Sequence, residues 1–406
     1  MAVFSQMYTN ISYFVKVVNK CQNIQEIPAI LDEPSCVLSE LLRLERQFSI
    51  GDTTGFPSKE FMENHNNSWV ILFTAEAFFL SSGITHDVIN EIIKNYDCTR
   101  LFVVTQHQMQ TDYVSRIYPS LNIIGTHNEW EYCAYIYAKH WPVKDTTHYL
   151  KRFLFMNRRN DSPRSRLFYN LWNIPGFPEN AFASFNPGNY WGTSGLTEDA
   201  ATAVVQDSWK EVLDLIDDKT IVDWLIKTKF PQLPEEYSEQ DPMHYSWDKN
   251  NGLGSLMNDT AINIVAETVT YPTHQKLFTT EKIFRPIIAG QPFITLASTG
   301  YLRGLRSLGY RTFGDIWDEG YDDIYELNDR VTAIGELVKQ LNNMSVAKFE
   351  NVLKRCRKIC AHNRKVIEHR TSIETLLNNI GEPFKSELTR NPYKYKYEKR
   401  SKIYYR

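Results

Sequence analysis

The chain has no Cys-x-x-Cys pair, so a zinc ribbon is not expected. Its six cysteines are dispersed. Cys356 and Cys360 stand one helical turn apart, no His/Cys pair of matching spacing joins them, and they read as small apolar helix residues. Long hydrophobic runs are missing too. The best, Trp69–Phe73, falls far short of the roughly 20 residues of a membrane span, so no span is expected. The opening MAVFSQMYTNISYFVKVV lacks a basic leader and a long apolar core, so no secretory signal is expected and the reading is cytoplasmic. No internal repeat is evident. No Asp-x-Asp occurs, so the metal–diphosphate clamp built on that motif is not expected, and no metal or other cofactor is assigned.

What is present suits a large globular protein. Hydrophobic residues make up 42% of 406 and charged residues 23%, which excludes a wholly disordered chain. The net charge of −3 is unevenly spread: residues 351–406 carry 15 Lys and Arg against five Asp and Glu. Such asymmetry can mark a basic arm that meets phosphate.

Continuous apolar runs with β-branched members lie at 69–75, 101–105 and 122–125. Continuous rather than alternating runs suggest strands buried on both faces, as in a parallel sheet. Val88, Ile89, Ile92 and Ile93 lie at helical spacing between the first two, giving a strand–helix–strand rhythm. A second α/β block opens near 151, with strands expected at 151–157, 181–185, 261–268 and 292–297. A last helix carries one apolar stripe through Val346, Phe349, Val352, Leu353, Cys356, Ile359 and Cys360. The expected organisation is two α/β halves, 1–148 and 149–345, then a helix over 346–380 and a basic aromatic tail over 381–406.

Two clusters carry candidate chemistry. Asn157-Arg158-Arg159 follows a buried strand, with Arg164 and Arg166 beyond. Arginine's planar fork suits diphosphate oxygens, and a solvated turn is the plain alternative. The second cluster runs NIVAETVTYPTHQKLFTTEKIFRPIIAGQPF over 263–293. Glu267 ends a strand there, and Thr279-Thr280 precede Glu281-Lys282 as a helix cap would. A carboxylate at that place can accept both hydroxyls of a ribose, and an ammonium can meet a pyrophosphate. Alternatively, Glu281 only favours the helix dipole.

The segment LFTTEKIFRPIIAGQPFI resembles the C-terminal signature of the α-1,3-fucosyltransferase family. A longer stretch through GYDDI resembles viral and bacterial relatives, which also carry an Asn-Arg-Arg turn. The resemblance covers roughly 151–330 and implies a GT-B glycosyltransferase, in which two Rossmann-like domains face each other across a cleft. It implies that Glu281 holds the ribose, that Lys282 and Arg158 or Arg159 hold the diphosphate, and that Glu267 touches the donor sugar. Phe278 replaces a common tyrosine and keeps stacking without the hydroxyl, and Thr280 belongs to the same run.

Inverting transfer needs a general base facing the donor. Glu76, directly after the strand at 69–75, is the first choice, with His107 and Asp112 second. An exposed strand-end carboxylate is the plain alternative for Glu76. The expected partner is a nucleotide sugar. The acceptor divides between a glycan and hydroxymethylcytosine in phage DNA, the basic C-terminus favouring DNA; for a viral protein the location would be the host cytoplasm. A non-catalytic binding protein with the same fold is the reading from another class. Trp317-Asp318-Glu319 and Asp322 are read as a structural loop. Asn186–Trp191 offers aromatics for stacking or packing.

Overall fold

The structure is a computed structural model that describes residues 36–40, 69–74, 90, 101–105, 118, 122–125, 131, 148–157, 161–185, 198–233, 253–271 and 277–370. The chain divides into two compact units, Met1–Tyr132 with His369–Arg406 and Cys133–Glu368.

The first unit contains a parallel four-stranded sheet: β1 (Cys36–Glu40), β2 (Trp69–Thr74), β3 (Leu101–Thr105) and β4 (Asn122–Gly125), paired in that order. Three of these are the expected apolar runs. β1, CVLSE, was not expected, since its five residues end in Ser and Glu and give only a weak apolar signal. Glu131, wholly buried, and Arg370 form a forked ion pair in this unit, at 2.6 Å from Nε and 3.2 Å from Nη2. Parallel charged hydrogen bonds of this kind fix geometry as well as energy. The helix expected over 86–96 lies outside the described residues, save for Asn90, which is helical.

The second unit holds β5 (Lys151–Asn157), β6 (Ala181–Phe185), β7 (Thr260–Ala266) and β8 (Phe293–Leu296), all parallel, in the order β6-β5-β7-β8. Every residue of β7 and β8 is buried, the polar Thr260, Asn263 and Thr295 included: helices cover both faces of such a sheet. Those helices are α1 (Ser162–Trp172), α2 (Phe177–Asn180), α3 (Glu198–Asp214), α4 (Lys219–Lys227), α5 (Leu253–Asp259), α6 (Glu281–Ala289), α7 (Tyr301–Ser307), α8 (Leu327–Asn342) and α9 (Val346–Arg370). The chain is therefore an α/β protein built on parallel sheets.

Aromatic packing anchors the β6 edge. Phe168 of α1 stacks on Phe185 of β6 at 4.2 Å and on Trp172 at 5.1 Å, and Phe230 lies 4.8 Å from Phe185. Burying one such ring stabilises by about 1.5–3 kcal/mol. Of the expected stripe of α9, Phe349, Leu353, Cys356, Ile359 and Cys360 are buried, while Val352 is half-buried and Val346, at the helix start, is exposed. Burial pushes the Cys356 thiol up to about 12. It is an inert core residue, as its spacing suggests.

α7 packs so closely on the segment before α6 that a Cβ on Gly304 would stand 2.9 Å from Cβ and Cδ1 of Leu277. Only glycine permits that approach. The 313–322 loop is structural. Trp317 stacks on Phe313 at 4.9 Å, Glu319 accepts the Phe313 N–H and the Thr312 hydroxyl at 2.6 Å each, and Asp322 accepts the Leu302 and Arg303 N–H groups of α7.

Candidate functional site

The sheet order makes a switch point. From β5 the chain moves outward to β6, while β7 lies on the other side of β5. The connections leave the carboxyl ends of β5 and β7 in opposite directions, and ligands of open α/β sheets gather in the crevice this opens. Asn157 ends β5, and Glu267 follows directly on β7. Asn157 is buried, and its Nδ2 has no hydrogen-bond acceptor among the described residues.

Arg164 and Arg166, candidate diphosphate ligands by their sequence position, turn inward instead. Arg164, in the first turn of α1, is buried and donates through Nη2 to the Glu267 carbonyl at 2.9 Å. Asp161, the N-cap of α1, accepts the Arg164 N–H at 2.9 Å and lies 3.5 Å from Nη1. Arg166 pairs with Asp217. Both arginines fasten α1 to its surroundings, because a buried guanidinium must be satisfied internally. Beyond β7, Tyr271 is 54% exposed. Its hydroxyl pKa is raised, first by partial burial and then by the charge of Asp161, with Arg166 opposing.

The start of α6 stands at the carboxyl end of β7. Thr280 has the extended backbone of an N-cap (φ −123°, ψ −176°), and its Oγ1 accepts the Lys282 N–H at 3.3 Å. Gly290 ends the helix in the left-handed region at φ 70°. Glu267 is wholly buried. Its Oε2 accepts the Thr280 hydroxyl at 2.6 Å, and its Oε1 accepts the Thr280 N–H at 3.2 Å and the Tyr301 hydroxyl at 2.9 Å. The resemblance implies a contact between Glu267 and a donor sugar; in the structure its carboxylate oxygens are engaged by Thr280 and Tyr301. Phe278 is buried as well, so its ring is not presented to solvent for stacking.

Glu281 and Lys282 are brought together. Lys282 Nζ lies 3.1 Å from Glu281 Oε1, 3.2 Å from Thr280 Oγ1 and 3.3 Å from Thr268 Oγ1. The lysine side chain is 30% exposed and that of its partner 6%. Lys282 and Thr268 are thus the accessible members of a cluster whose Thr280 and Glu281 are buried. Burial alone pushes the Glu281 carboxyl up, but Lys282 and Arg285 outweigh it and hold the group below the usual 4.5. A carboxyl depressed in the folded state stabilises above its unfolded value, and that contribution is lost as pH falls through the lower folded one. Glu281→Gln is therefore expected to be less stable than the wild type at neutral pH, with the gap narrowing as the pH falls through the depressed folded value. Glu319 and Asp322, raised chiefly by burial, titrate the other way in both proteins and cancel. Urea melts at neutral and acidic pH check this, and a constant gap would contradict it.

Glu76, His107, Asp112, Arg158 and Arg159 lie outside the described residues, as do the turn at 186–191 and the tail at 381–406. Among the described residues no group of three or more His, Cys, Asp and Glu could hold a metal ion, and no helix is long and apolar enough to cross a membrane. Sequence reasoning missed Tyr301, Thr268 and Tyr271. Tyr301 stands 34 residues from the glutamate it binds, a separation without sequence signal.

No protein-family model matches the chain, and no curated protein matches it.

Proposed function

We propose that the chain is a nucleotide-sugar glycosyltransferase of GT-B architecture, moving a sugar to an acceptor hydroxyl with inversion. The observation that carries the reading is the partly exposed Lys282 side chain, its ammonium beside the Glu281 carboxylate, at the start of a buried helix on the carboxyl edge of a parallel sheet. A ribose diol hydrogen-bonds to such a carboxylate, and a diphosphate is met by the ammonium and the helix N-terminus. The unmatched Asn157 amide at the adjacent strand end offers a further donor to phosphate oxygen. In this reading Arg158 and Arg159 complete the diphosphate clamp, and fixed cations stabilise the departing nucleoside diphosphate without a required metal. The base belongs to the first unit, where Glu76 is the candidate ahead of His107 and Asp112.

The acceptor follows from the basic C-terminal segment, whose charge suits a nucleic-acid backbone; hydroxymethylated DNA is the first acceptor to test and a glycan the second. The purified protein, given GDP-, UDP- and CMP-sugars, is expected to release the free nucleotide from one of them, faster with the right acceptor. Replacing Arg158 and Arg159 together by alanine should slow that release by about 100-fold or more. No turnover of any sugar nucleotide, with or without either acceptor, would overturn the proposal.

A further inference from the structure

The donor site contains a buried hydrogen-bond chain with a fixed direction. Glu267 accepts in each of its three side-chain hydrogen bonds. Both hydroxyls that touch it, Thr280 at 2.6 Å and Tyr301 at 2.9 Å, must therefore donate to it. Thr280 has one hydroxyl proton, and Glu267 takes it. The lone pairs of Thr280 Oγ1 are left facing α6, where they accept the Lys282 backbone N–H at 3.3 Å and its ammonium at 3.2 Å. The Tyr301 hydroxyl stays protonated, its pKa raised by burial and by the charge of Glu267.

The ammonium has three protons and three acceptors: Thr268, Thr280 and Glu281. On the donor-site reading, a bound nucleotide engages the Glu281 carboxylate through its ribose and takes ammonium protons for its phosphates. Thr268 is exposed. Thr280 is the one acceptor held from behind by a wholly buried carboxylate. It is the fixed point about which Lys282 turns from its resting partners to a diphosphate.

We propose that Glu267, Thr280 and Tyr301 are positioning residues that aim the Lys282 ammonium at the diphosphate of the bound nucleotide. This inference rests on the donor-site reading. It assigns Glu267 no contact with substrate. It also gives Tyr301, in a different helix, a part in nucleotide affinity. Replacing Glu267 by glutamine would put an N–H donor opposite Thr280 or Tyr301, and the hydroxyl that meets it could no longer donate there.

The test compares Thr280→Ser and Thr280→Val, with Tyr301→Phe as a variant that leaves the helix cap intact. Titration calorimetry is run with whichever of GDP and UDP binds the wild type, at a temperature where each variant is folded by circular dichroism. Thr280→Ser should bind within about 3-fold of the wild type, and Thr280→Val should bind about 10-fold or more weakly. Tyr301→Phe should weaken binding about 3-fold or more, and it carries the test where Thr280→Val fails to fold. A purely structural role would lower the melting temperature of Thr280→Val or Tyr301→Phe while leaving the nucleotide affinity of the folded protein unchanged. That result would overturn the positioning role alone. A wild type that binds neither nucleotide would overturn the donor-site reading beneath it.

Discussion

Arg330→Ala is expected to lower the stability of the protein by about 4 kcal/mol or more in urea denaturation. Arg330 is 1% exposed, and all five of its guanidinium protons are used. Nε donates to the Ile324 carbonyl at 2.9 Å. Nη1 donates to the carbonyls of Thr270, at 2.8 Å, and Ala297. Nη2 donates to Thr299 Oγ1 at 2.7 Å and to the Tyr325 carbonyl at 2.9 Å. One side chain thereby joins the loop after β7, the end of β8 and the segment entering α8. Alanine would take a charged donor from four backbone carbonyls, of which that of Ile324 keeps the Thr299 hydroxyl at 3.3 Å, and leave a cavity in their midst. Each lost bond to a charged donor is worth about 1.5–3 kcal/mol, though such contributions do not add. Lysine has three protons on a point charge and cannot match five acceptors, so Arg330→Lys should recover less than half of the loss. A loss within about 1 kcal/mol for Arg330→Ala would show that the loops hold without it.

Lys282→Ala is the second large effect. The expected result is a fall in sugar-nucleotide turnover of about 100-fold or more, the usual loss when one donor to developing charge is removed. The fold should survive. The lysine side chain is 30% exposed, and Arg285 stays close enough to oppose the charge left on Glu281. The stability cost should be about 1–2 kcal/mol, too little to unfold the protein at room temperature. Turnover and melting temperature measured on the same preparation separate the two effects. Full activity in the variant would place the diphosphate elsewhere.

Much of the second unit was legible because burial on both faces leaves a plain mark. The segments that became β5, β7 and β8 each carry an apolar core, interrupted by Asn263 in β7 and Thr295 in β8, and Thr280 with Glu281 announced the start of α6. The stripe of α9 followed from spacing alone. The long helix α8 gave no such start signal: Glu326 stands at its N-cap and makes no side-chain cap.

The site was legible in part. The pairing of Glu281 with Lys282 is local, since neighbours at a helix start share a cap. The duty of Glu267 is not local. A strand-end glutamate has the same sequence whether it faces a ligand or a buried tyrosine from another helix. Arg164 and Arg166 misled for a similar reason. A basic run after a strand resembles an anion site, and only the fold shows that the Glu267 carbonyl and Asp217 take up these two guanidinium groups.

The central claim is a nucleoside diphosphate at the start of α6. The most direct measurement is a thermal-shift panel of the full chain with GDP, UDP and CMP and their sugar conjugates, with EDTA present. A ligand at about 100 times its Kd should stabilise by roughly 2.7 kcal/mol. For a unit of this size that is a rise in Tm of about 5 °C or more. The expected result is such a rise with one diphosphate and its sugar conjugate, abolished in Lys282→Ala. A flat panel, or a rise that Lys282→Ala retains in full, would contradict the claim.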